Sequence, residues 1–162
     1  MNWVLYIVLA IVLFVVFIQD YKYRAIHVGL LALIFVISII LWYLNQNLIK
    51  GILFNLVFLM VNLLSLKLYT IIAKKKTEEG LYFGGLGLGD VLFFVAILPL
   101  FNLVNYMLFF ISGIIVSMLF HIGNRIISKN KYIPLAGYLS LYLILVLGYS
   151  YFNDFNLYLD LV

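Results

Sequence analysis

The chain has 162 residues, 67% of them apolar and 10% charged, with a mean hydropathy of +1.22, which excludes an ordinary soluble domain. Ten Lys and Arg against six Asp and Glu leave a net charge of +4, but the basic residues sit in short stretches between apolar runs, where membrane topology accounts for them without nucleic acid. The absence of cysteine excludes disulfides, thiolate catalysis and cysteine-ligated metal.

A helix needs about 20 mostly apolar residues to cross a hydrocarbon core of about 30 Å. Candidate runs are residues 3–18, 28–44, 51–72, 91–101, 103–122 and 135–152. The first opens with no basic residue in Met1-Asn2 and no small-residue cleavage site ahead of Asp20, so it is expected to stay as a helix and not to be removed as a signal peptide. Further along, residues 91–120 as one helix would measure about 45 Å, well beyond the core, whereas Pro99, Asn102 and Asn105 offer a turn. With that turn, Lys22 and Arg24, then Lys67, Lys74, Lys75 and Lys76, then Arg125, Lys129 and Lys131 fall in alternate loops. Nine of the ten basic residues are then cytoplasmic, with Lys50 the exception, and both termini lie outside, the C-terminal tail carrying Asp154 and Asp160. The fourth run is short, so its helix is expected to begin earlier, near Gly87 to Gly89, or to thin the bilayer locally. Two prolines, no Gly/Ser-rich linker and no internal repeat mark no boundary. The predicted fold class is all-α: a polytopic membrane protein with about six transmembrane helices in one bundle, a single domain over residues 1–162.

Ionisable groups at a membrane boundary are costly and need a partner or a task. Asp20 ends the first run and Asp90 opens the fourth, on the same cytoplasmic side although seventy residues apart. Two acidic groups in one low-dielectric site cannot both ionise cheaply, so one keeps its proton while the other activates water, which hydrolyses an amide without metal or cofactor. Gly84-Gly85-Leu86-Gly87-Leu88-Gly89-Asp90 places glycines directly before one carboxylate, and Gly87 and Gly89 are expected to let an extended substrate approach the backbone. Taken singly, each residue also has a structural reading. Asp90 before an apolar run looks like an N-cap, and Asp20 has Lys22 and Arg24 nearby to pair with at the headgroups. Lys74, Lys75 and Lys76 read as a topogenic signal with affinity for anionic lipid. His27 and His121 lack a carboxylate at ligand spacing and suit interfacial hydrogen bonding, not metal. Trp3, Trp42, Tyr43 and Tyr69 read as interfacial anchors.

Asp20-Tyr21-Lys22-Tyr23-Arg24-Ala25-Ile26 resembles the first-aspartate motif of the type IV prepilin peptidases, in which an Asp is followed by basic residues and Ile-Pro-Asn. Gly87-Leu88-Gly89-Asp90 is similar to the Gly-x-Gly-Asp motif of that family, and the stretch from Ile133 through Pro134, Leu135, Ala136 and Gly137 to Leu141 is similar to the Ile-Pro-Phe-Gly-Pro-Phe-Leu segment that opens its last helix. The three motifs fall in family order and the resemblance covers nearly the whole chain. It departs at His27 and Val28 in place of Pro and Asn, at Leu92 in place of a common Lys, and at Ala136-Gly137 in place of Gly-Pro.

The resemblance implies an aspartic endopeptidase in a prokaryotic cytoplasmic membrane, with Asp20 and Asp90 as the catalytic pair and no cofactor. It also implies a substrate partner beside the lipid bilayer: a pilin-like precursor whose short basic leader, typically ending in Gly, is cut at the cytoplasmic face just ahead of an apolar helix. Larger members also methylate the new N-terminus through a cysteine-bearing segment. This chain begins at a span and has no cysteine, which implies peptidase activity without methyl transfer. Two other classes stay open: a catalytically inactive scaffold or binding component of a pilus or secretion machine, and a small proton-coupled transporter. A transporter places its ionisable groups near the midplane, whereas here they gather at one face.

Overall fold

The computed structural model describes residues 3–45, 49–72, 81–83, 86–125 and 134–152. Lys74, Lys75 and Lys76, Gly84 and Gly85, Lys129, Lys131, Ile133, Asp154 and Asp160 lie outside the described residues. Six α-helices dominate: α1 (Trp3–Tyr23), α2 (Val28–Leu44), α3 (Ile49–Ile72), α4 (Leu88–Ile97), α5 (Leu103–Arg125) and α6 (Leu135–Phe152). Three of them offer stretches long and apolar enough to cross a membrane, Val4–Tyr23, Ile49–Ile72 and Leu103–Gly123; three shorter apolar helical stretches are Val28–Leu44, Leu88–Leu100 and Leu135–Ser150.

Because these helices are apolar on every side, their inward faces are set by fit and by sparse polar groups, as in lipid-embedded bundles. In α1 the buried residues Leu9, Leu13, Val16 and Asp20 recur at spacings of four, three and four, while Ile7, Ile11, Phe14 and Ile18 are exposed. The same helical period puts Leu31, Ile34, Ser38 and Leu41 inward on α2, and Phe93, Phe94 and Ile97 inward on α4. Helix α1 packs most extensively on α6, which also packs on α5; α2 packs on α4, and α3 sits at the periphery against α5. At the α5–α6 crossing a side chain on Gly113 would come within 2.6 Å of Leu139 Cδ2, so the two backbones approach as closely as they do only because that position has none.

The turn between α4 and α5 forms where Pro99 requires it. A 3-10 turn, Leu98–Leu100, ends α4, and α5 restarts at Leu103. Asn102 starts α5 by accepting the Asn105 N–H on Oδ1 at 2.8 Å. The carbonyls that the broken helix leaves unpaired are met from α3, where the fully buried Asn55 donates its Nδ2 to Leu98 O at 3.1 Å and Phe101 O at 2.8 Å. A short antiparallel hairpin, β1 (Leu81–Phe83) with β2 (Leu86–Gly87), runs into α4. It is the one departure from an all-helical backbone among the described residues.

Candidate active site

Asp20 occupies the last turn of α1, continuing that helix's inward stripe, and is only 7% exposed. Helix α1 closes after it with Arg24 in the left-handed conformation, φ 54°, its N–H donating to Asp20 O at 3.1 Å. Arg24 lies within electrostatic reach of the Asp20 carboxylate, while the Lys22 ammonium lies over the Tyr23 ring, 5.2 Å from its centroid. His27 caps α2, accepting the Gly29 N–H on Nδ1 at 3.2 Å, and its own N–H donates to Gln19 Oε1 at 3.1 Å. That short connection turns the Ile26 side chain toward α4, where a Cβ on Gly89 would sit 3.5 Å from Ile26 Cδ1.

Asp90 is not the N-cap of α4. The helix begins at Leu88 with Gly87 as N-cap, so Asp90 stands in the first turn, at the third helical position, and is partly buried. Its Oδ2 accepts the Gly87 N–H at 3.1 Å, the returning half of a capping box, the other half being impossible for a glycine without a side chain. Gly87 therefore holds Asp90 directly, a contact that follows from the early start of α4.

The two aspartates meet on α6. Pro134 precedes that helix, and Tyr138 N–H makes its first intrahelical bond, to Pro134 O at 3.1 Å. The amides before Tyr138 have no partner within the helix. Ala136 N–H donates to Asp90 Oδ1 at 2.9 Å and Gly137 N–H donates to Asp20 Oδ2 at 2.6 Å. Consecutive amide nitrogens in a helix lie about 3 Å apart, so with contacts of 2.9 and 2.6 Å the two bound oxygens are separated by no more than about 8.5 Å, and Asp20 lies within electrostatic reach of Asp90. Side chains 70 residues apart thus converge on one electropositive helix end. Three of the four carboxyl oxygens accept a backbone N–H; Asp20 Oδ1 accepts none among the described residues.

An apolar groove of about 680 Å³ is lined by Phe17 and Tyr21 of α1, Phe120 and Gly123 of α5, and Tyr138 and Leu141 of α6. Tyr21 and Tyr138 are the chain neighbours of Asp20 and Gly137, but neither aspartate is among the residues that line the groove. Among the described residues no three His, Asp or Glu side chains cluster at metal-ligand spacing. Missing from the sequence reading was α6 as the element that gathers the pair. The signal available was Gly137 in the first turn of an apolar helix, where a better helix former is expected.

Comparison with protein-family models, with curated proteins and with solved structures finds no match to this chain.

Proposed function

We propose that this chain is a membrane aspartic endopeptidase of the prepilin peptidase type, with six spans, both termini outside and its site at the cytoplasmic face of a prokaryotic cytoplasmic membrane. Its substrate on this reading is a pilin-like precursor, cut between a short basic leader and an apolar helix that rests in the groove beside Tyr21 and Tyr138. The observation that carries the reading is the convergence of Asp20 and Asp90 on consecutive amides of α6. An aspartate pair sharing one proton needs that proximity and needs its oxygens held without lysine or metal.

The proton belongs on Asp20 Oδ1 in this scheme, because among the described residues it alone of the four oxygens meets no backbone donor, while Asp90 is the base. Asp90 takes a proton from water as the water oxygen bonds to the scissile carbonyl carbon, and Asp20 gives its proton to the carbonyl oxygen. The diol then collapses as Asp20 takes the proton of one hydroxyl, the C–N bond breaks, and the leaving nitrogen takes its proton from Asp90. The products are a carboxylic acid and an amine, and the pair regains its single proton. Activity in this scheme rises and falls with pH, since one carboxyl must be charged and the other neutral.

The test uses the full chain in lipid vesicles with a precursor bearing a basic leader ended by Gly, the cut being located by mass spectrometry. Asp20→Asn and Asp90→Asn, made separately, should each lower cleavage by a factor of at least about a thousand, of the order of losing one member of a catalytic set, while the chain still inserts. Normal cutting by both variants would end the peptidase reading. A second reading has its own observation: both carboxylates satisfy amides of α6, which is a complete structural role for a non-enzymatic scaffold. On that reading the wild type binds the precursor and leaves it intact.

A further inference from the structure

We propose that Gly137 is a positioning residue for the aspartate pair: its missing side chain lets α1 press Asp20 against the first turn of α6, at the amide next to the one that holds Asp90. A Cβ at position 137 would meet Asp20 Oδ2 at 3.1 Å, Asp20 Cβ at 3.2 Å and Asp20 Cγ at 3.5 Å. Three atoms of one short side chain stand in the way, and none is the loose end of a flexible chain. Asp20 is almost wholly buried and cannot swing into water. A methyl group there requires Asp20 to give by a few tenths of an ångström, which strains its 2.6 Å amide contact. The other glycine on α6, Gly148, has nothing within 4 Å of its Cβ position, so glycine is required by contact at one position of that helix and not at the other. Ser140 adds to the arrangement, its hydroxyl donating to Gly137 O at 2.7 Å from inside the bundle and fixing the peptide that follows the site.

Two carboxyls on neighbouring amides of one rigid turn hold a fixed separation, whereas carboxyls tethered only to their own helices would drift with every helix movement. The shared turn makes α6 the reference frame of the pair. Its effect on cleavage rests on the peptidase reading; its effect on the carboxyl groups does not.

The experiment compares wild type, Gly137→Ala, Gly148→Ala and Asp20→Asn as full chains in vesicles, by pH-difference infrared spectroscopy of the carboxyl stretch and by cleavage kinetics. The Asp20→Asn spectrum assigns the Asp20 band. Gly137→Ala should move that band to the higher frequency of a carboxyl that has lost a donor and lower kcat about tenfold or more with KM little changed, a loss of the size expected for one charge-assisted hydrogen bond. Gly148→Ala should match wild type in both. If Gly137→Ala does not insert, the chain is made by cell-free synthesis with glycolic acid at position 137, which replaces the N–H by an ester oxygen and adds no side chain, and the same band shift is expected. A band unmoved in whichever of these two chains inserts overturns the proposal, as does an equal shift in Gly148→Ala. A wild type that never cuts, together with a Gly137→Ala band that moves, removes the peptidase reading and leaves the positioning role standing.

Discussion

Asp90 and Asp20 differ in how their oxygens are occupied, and the difference has an energetic consequence. At Asp90 one oxygen takes the Gly87 amide and the other the Ala136 amide, whereas Asp20 takes one amide on one oxygen. An asparagine at position 20 can turn its carbonyl oxygen to Gly137; at position 90 it must point its own NH2 at one of two N–H donors. Asp90→Asn is therefore expected to be less stable than Asp20→Asn by about 1–2 kcal/mol, read from unfolding of the purified chain in mixed micelles titrated with SDS. Equal stabilities would mean that the double acceptance contributes little. Arg24 offers a gain in the opposite direction. Its φ of 54° lies where a side chain costs roughly 1 kcal/mol, so Arg24→Gly should unfold at higher SDS than Arg24→Ala. That both aspartates lie at one membrane face was legible from charge and run order, whereas their inward address was not: Asp20 extends the buried stripe of Leu9, Leu13 and Val16, and Asp90 stands three and four residues before buried Phe93 and Phe94, but helices apolar on every side carry no period that marks the inner face. What holds them was not legible either, because Gly137 lies 117 residues beyond Asp20 and leaves no local signature of the contact.

Among the elements, each of the six apolar runs became a helix, since hydrophobic length is a signal that tertiary context seldom overrides in such a chain. The early start of α4 and the break at Pro99 were both legible, the first from the shortness of its run and the second from the length of the alternative. The hairpin before α4 was not, because strands of three and two residues are too short for any alternation to register. Asn55 was also unforeseen in its role: a lone asparagine in an apolar run gives no hint that it serves a break more than forty residues away. Asn55→Leu should destabilise the chain by about 1–2 kcal/mol by stranding the Leu98 and Phe101 carbonyls away from water. Gly113→Ala should cost about 1–3 kcal/mol, because the fully buried Leu139 has little room to yield. In both cases SDS unfolding is the measurement, and a variant as stable as wild type would show that its contact is dispensable.

For the whole molecule, the proposed six-span topology rests on charge placement more than on any single helix, and the cysteine-free sequence makes it simple to test. Single cysteines at exposed positions report sidedness without background. Tyr23→Cys, Ile72→Cys and Gly123→Cys should react with an impermeant thiol reagent from the cytoplasmic side, and Asn45→Cys and Lys50→Cys from the outer side. Labelling of positions 23 and 45 from one side would remove a span from the proposed topology. The pairing of α1 with α6 also bears on biosynthesis. Translation delivers Asp20 to the membrane 117 residues before Gly137, an interval of roughly 6–23 s at ~5–20 residues per second. Until α6 arrives, Asp20 has no Gly137 amide to rest on, and its carboxyl relies on Arg24 and boundary water during elongation. The nascent chain stays incapable of joining its two acidic groups on one helix end until α6 has been made.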